Sequence, residues 1–151
     1  MQIMATHQAV EILLDAEVQA AAATGNSQSL ANAKERQRLN GFAYFVLCWG
    51  QFEADIDDKC RNEIRKRRSH PHWPQRRGWD IYNPDEKRLS GLSFLDRVAL
   101  LTDKSAGNGS AWADIFKLYQ TRNLLAHGKL AVTEIDVQDV GRQMYQLQSE
   151  L

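Results

Sequence analysis

From Ser29 to Arg68 the chain runs without a proline, and along it Phe42, Phe45, Val46, Trp49, Phe52, Ile56, Cys60 and Ile64 recur every three or four residues. That spacing is the apolar stripe of an amphipathic helix, and no breaker interrupts it. The stretch reads as one long helix, with Gly41 as the natural place for a bend. Around residues 42 to 52, Tyr44, Leu47 and Cys48 add a second apolar face. A helix apolar on two sides must be covered twice, so a second layer of packing is expected there, from this chain or from a partner subunit.

The rest of the sequence arranges itself around that helix. Residues 2 to 23 are rich in Ala, Gln and Glu, place Val10, Leu13, Leu14 and Val18 at helical spacing, and end at Thr24-Gly25-Asn26-Ser27. Residues 69 to 89 hold all three prolines, Pro71, Pro74 and Pro84, and read as a long loop. Ser90 or Ser93 then caps a short helix carrying Leu92, Leu95, Val98 and Ala99. Ser110 caps a helix to His127 whose inner face is Trp112, Ile115, Phe116 and Tyr119, with Gly128 as a left-handed C-terminal cap. Thr133 and Asp136 resemble a capping box that opens a last helix through Val137, Val140, Met144 and Leu147. The only strand candidate, Lys129 to Thr133, is short and unpartnered. The expectation is an all-α, single-domain chain over residues 1–151, with about five helices, one of them long.

Charge and composition exclude several classes. Lysine plus arginine equals aspartate plus glutamate at nineteen each, so the whole molecule has no field drawing it to nucleic acid or anionic membrane. No run approaches the roughly 20 apolar residues of a membrane span, and Met1-Gln2-Ile3-Met4 lacks a secretory start, so a cytoplasmic protein is expected. The only cysteines, Cys48 and Cys60, fall on the same helix roughly 18 Å apart, too far to bridge. They read as packed or free thiols.

Catalytic signatures are mostly missing: no glycine-rich phosphate loop, no zinc-type Cys/His spacing, no G-x-S-x-G and no H-E-x-x-H. Asp55, Asp57 and Asp58 crowd one another, but successive helix positions diverge, which makes them a solvated face rather than a metal site. His70 and His72 lack a third ligand nearby, so neither a metal nor a cofactor is expected.

Arg122-Asn123-Leu124-Leu125-Ala126-His127-Gly128 is different. Extending the stripe of its helix by three and four residues lands on Arg122 and Asn123, where the buried seam should continue. A buried charge is costly unless partnered, so such residues serve a ligand or a neighbour. Two readings stand: Arg122 pairs with an aspartate or caps another helix while His127 complements the helix dipole, or the group binds and acts on something. At about 100° per residue His127 lies roughly 40° from Asn123 and roughly 140° from Arg122, so one helix does not set Arg and His side by side. A second copy across a two-fold axis would let two sets converge.

These residues resemble the signature of the HEPN superfamily, small all-α proteins with Arg, four to six intervening residues, then His, and often a polar residue directly after the Arg. Arg122, Asn123 and His127 fit that pattern on a helix that ends at the His. Arg65 to His70 and Arg67 to His72 fit the bare spacing but run into Pro71 and lack the polar residue. The succession of a long amphipathic helix, a loop and a later motif-bearing helix extends the likeness over most of the chain. Where one subgroup of the family carries a modified tyrosine two residues after the His, this chain has Lys129.

The resemblance implies an up-and-down helical bundle, dimeric, acting as a metal-independent endoribonuclease of toxin or antiphage-defence type, with both motifs lining one cleft. It implies RNA as substrate, a homodimer, and an antitoxin or regulatory protein as a further partner. In that scheme the RNA 2′-hydroxyl is the nucleophile, His127 is general base or acid, Arg122 stabilises the transition state, and Asn123 orients the ring or binds phosphate. Arg65, Arg67, Arg68, Trp73, Arg76 and Arg77 are candidate RNA contacts by phosphate pairing and base stacking. Those residues also read as a solvated helix end and loop, because no periodic arrangement selects one face. A rival to catalysis is a non-catalytic module of the same fold that binds nucleotides or a protein.

Overall fold

A computed structural model describes residues 2–86, 89–128 and 135–151. Among them the secondary structure is helical: α1 (Gln2–Ala23), α2 (Ser27–Arg68), α3 (Trp73–Arg76), α4 (Phe94–Leu101), α5 (Ala111–Ala126) and α6 (Val137–Glu150), plus one 3₁₀ turn at Leu89–Gly91. No strand occurs among the described residues, and the strand candidate at 129–133 lies outside them. No helix among them is long and apolar enough to cross a membrane.

Local chemistry explains most boundaries. Gly25 takes φ +70° between α1 and α2, a left-handed conformation that costs glycine nothing. The Asn26 side chain then accepts hydrogen bonds from the amides of Gln28 and Ser29 at 3.0 and 3.1 Å, starting α2. Of the two serines offered as caps for α4, Ser93 takes the role in a reciprocal capping box with Asp96, and Ser90 belongs to the 3₁₀ turn. The segment 69–89 is not wholly irregular: Pro74 sits inside the first turn of α3, where its missing N–H has no partner to lose. Asp136 caps α6 directly, accepting from the Asp139 amide at 2.9 Å, rather than standing three residues into it. Thr133 lies outside the described residues.

The chain divides into two compact units, residues 1–50 with 119–146, and residues 51–118 with 147–151. In the first, α2 buries Ala33, Phe42, Phe45 and Trp49, and α6 contributes Val137 and Met144. The expected second layer over α2 is α1: the edge of His7 meets the Tyr44 ring at 4.9 Å, and the Cys48 thiol lies 3.6 Å from Met4 Sδ. Leu13, expected inside, is 70% exposed, because α1 turns His7 inward instead. Gly141 lets α1 approach α6, since a Cβ there would overlap the end of Met4. Gly41 marks no break in α2; it lies where a side chain would meet Ile135 O and Val137 Cγ2.

In the second unit Phe52, Ile56, Cys60 and Ile64 of α2 are buried, as are Leu89, Phe94, Val98, Ile115, Leu118 and Leu147. Trp79 and Tyr82 pack against the cluster of Cys60, Ile64 and Leu89. Asp57 is not the solvated residue its neighbours suggested. It accepts from Arg61 and from Arg97, each at 2.9 Å, and Arg61 also reaches the carbonyl oxygens of Pro84 and Glu86, so α2, α4 and the loop are tied by one charged ladder.

Candidate functional site

The buried seam of α5 passes through Ile115 and Leu118 rather than Trp112 and Phe116, which stack on each other with Phe116 36% exposed. Rotated this way, the seam continues from Leu118 by four residues to Arg122 and by seven to Leu125. Arg122 and Asn123 are both half-buried, and His127 is exposed just past the last turn. Arg122 is in line with that seam but only half-buried, and Asn123 lies on its flank. Helix α5 ends as its sequence dictates: Ser110 Oγ accepts from Ala113 N at 3.2 Å at the start, and Gly128 takes φ +67° at the finish.

The Arg122 guanidinium turns toward its neighbour, with Nη1 donating to Asn123 Oδ1 at 3.1 Å. It makes no ion pair among the described residues, which removes the aspartate partner as the explanation for its burial within this set. Asn123 and His127, one turn apart, line an open groove of about 340 Å³ together with Gln120 and Leu124. A long side chain therefore bridges part of the angle that the helix imposes: Arg122 contacts Asn123, and Asn123 shares a groove with His127. A carboxamide and an imidazole that line open space, with a guanidinium hydrogen-bonded to the carboxamide from outside the lining, can bind an oxyanion and exchange a proton with it.

The same unit carries an apolar surface that is partly uncovered. Val46 and Leu47 of α2, 46% and 54% exposed, join Phe42, Ala43 and Leu125 around a cavity of about 430 Å³. Val46 was expected within the buried stripe of α2; instead it and Leu47 form the part of the helix that α1 leaves open.

The basic candidates lie in the second unit, where most of them face acids. Arg65 pairs with Asp85 at 2.8 Å, Arg67 with Glu63 at 2.5 Å, and Arg68 and Arg76 with the two oxygens of Asp80 at 3.8 and 3.5 Å. Arg67 donating to Glu63, and Arg65 donating to Asp85, hold those carboxyls below the usual carboxylate range. Arg68 also donates to the Tyr82 carbonyl. Arg77 lies over the exposed ring of Trp73 at 5.7 Å. His70 Nδ1 accepts the His72 amide at 3.2 Å, which occupies one of the nitrogens of that pair. No group of three or more potential metal ligands occurs among the described residues.

The sequence reading missed His7. It is 5% exposed, its Nε2 is 3.4 Å from Glu11 and its Nδ1 3.2 Å from Gln138 Nε2, beside a cavity of about 450 Å³ that Gln37, Arg38 and Asp136 also line. The signal was its position three residues before Val10, on the face that α1 buries, with Glu11 one turn on.

No family model matches the sequence, and comparison with curated proteins and with solved structures finds no similar protein.

Proposed function

We propose that this chain is a metal-independent endoribonuclease of the HEPN type, of the toxin or defence kind, that works as a homodimer. The observation that carries the reading is the Arg122 side chain, half-buried, without an acidic partner among the described residues, and held on Asn123 next to the His127 groove. A guanidinium fixed in that manner presents its remaining N–H groups to phosphate oxygens without the entropy loss of a free side chain.

The chemistry follows from what RNA supplies. The 2′-oxygen attacks the adjacent phosphorus, an imidazole takes its proton, and the P–O5′ bond breaks as a second imidazole protonates the departing oxygen. Products are a 2′,3′-cyclic phosphate and a 5′-hydroxyl, with no water consumed and no metal required. One chain offers one His127; a dimer offers two, one for each proton transfer. The exposed Val46 and Leu47, which share a cavity with Leu125 of α5, support a second copy there, since burying each such side chain is worth about 1.5–3 kcal/mol.

Incubating labelled RNA with the protein in EDTA tests the reading. Wild type should cut, and His127→Ala should cut at least about a hundredfold more slowly with an unchanged melting temperature. Equal rates for the two proteins would overturn it.

A further inference from the structure

Six of the seven cations between Arg61 and Arg77 lie within 4 Å of a carboxylate: Arg61, Arg65, Lys66, Arg67, Arg68 and Arg76. Arg77 has no such partner among the described residues, and its guanidinium lies 5.7 Å from the centre of the Trp73 ring. Trp73 is 58% exposed, whereas Trp79, the other tryptophan of the segment, packs against the core cluster around Cys60 with Arg67 over its ring. The two tryptophans therefore differ in kind: one is partly buried against the core, the other holds a large planar surface in solvent with a permanent charge over it. Directly before Trp73, the rings of His70 and His72 stand 5.7 Å apart at 37°.

We infer that Trp73 and Arg77 form a stacking platform for single-stranded nucleic acid, RNA under the proposed function, and that the remaining arginines of the segment are already engaged by carboxylates. An exposed tryptophan takes any unpaired base on the face that Arg77 leaves open, and the guanidinium over its other face takes an adjoining phosphate. A duplex hides its base faces and offers nothing to such a ring. This inference rests on the proposed function only for the choice of RNA, and binding can be measured apart from cleavage.

The experiment measures anisotropy of a fluorescent twelve-nucleotide oligoadenylate in EDTA, using His127→Ala protein so that the probe survives. Trp73→Ala and Arg77→Ala in that background should each weaken binding roughly tenfold or more. Arg65→Ala, which removes a guanidinium already facing Asp85, should change it less than about twofold. Melting curves should coincide for all, since these side chains are exposed. Unchanged affinity in Trp73→Ala, an equal loss in Arg65→Ala, no binding by the parent protein, or preference for a duplex or for anionic lipid vesicles would each overturn the platform. Cleavage by wild type with unaltered binding in Trp73→Ala sinks the platform and leaves the ribonuclease; binding through Trp73 without any cleavage does the reverse.

Discussion

Arg122 and Asn123, neighbours on α5, are joined through their side chains, with the guanidinium donating to the carboxamide oxygen at 3.1 Å. Neighbouring helix positions point about 100° apart, so this bond swings the arginine toward the face that carries His127. Among the described residues the charge on Arg122 meets no carboxylate, because a carboxamide accepts without carrying an anion.

That relationship predicts the behaviour of an isosteric change. Asn123→Asp gives Arg122 a carboxylate, which should keep or raise the melting temperature while repelling phosphate. Cleavage should fall by about 10² or more, comparable to removing one transition-state donor. Thermal melting and RNA turnover measured on the same preparation check this; an active Asn123→Asp protein would show that the charge on Arg122 is not used.

The uncovered surface of α2 predicts an oligomer. Leu47→Glu places a charge beside Val46 and Leu125 at a position that is itself 54% exposed. Light scattering after size exclusion should find wild type as a dimer and Leu47→Glu as a folded monomer without RNA cleavage. A wild-type monomer at micromolar concentration, or a dimeric Leu47→Glu, would place the interface elsewhere.

The α4 cap predicts a pH dependence. Ser93, through its side chain and then its backbone N–H, holds the Asp96 carboxyl below the usual carboxylate range. A lowered folded-state pKa stabilises fully above the unfolded value of about 4 and loses that contribution as pH falls through the folded value. Asp96→Asn should therefore melt below wild type at neutral pH, and the gap should narrow as pH drops below about 4. Ser93→Ala removes the cap itself and should cost about 1 kcal/mol at neutral pH in denaturant titration. An Asp96→Asn gap that widens in acid would contradict the assignment.

Both cysteines should be inert in the folded protein. Burial, with the charge of Asp57 adding to it, pushes the Cys60 thiol up to about 11, and burial likewise raises Cys48. At pH 8 only ~0.1% of Cys60 would be thiolate, the reactive form. A colourimetric thiol reagent should find no fast-reacting group at pH 8 in native buffer and two equivalents in denaturant. One equivalent reacting within seconds in native buffer would show that one of these sites is open.

Much of this fold was legible because its signals are local. The run from Phe45 to Ile64 carries its own period, Gly25 and Gly128 need left-handed φ, and Ser93 with Asp96 spells a capping box. Rotation of a helix about its axis is less legible, since it depends on what packs against it. Trp112 and Phe116 satisfy each other by stacking at 6.5 Å, so the α5 seam shifted to Ile115 and Leu118. Leu13 lost its inward place to His7, which finds Glu11, Gln138 and Tyr44 as partners. In the candidate site, residue identity was readable from the helix pattern, but the Arg122 to Asn123 bond depends on rotamers that spacing does not encode. Nor could composition sort the arginines of residues 61–77, because their acids arrive from Glu63, Asp80 and Asp85.

The most direct test of a composite Arg122/His127 ribonuclease site is end-group analysis on matched RNA and 2′-O-methyl RNA in EDTA. The wild-type protein should cut only the RNA and leave 2′,3′-cyclic phosphate and 5′-hydroxyl ends. Cutting of both substrates, or 3′-hydroxyl ends on the products, would contradict attack by the 2′-hydroxyl and with it the role assigned to these residues.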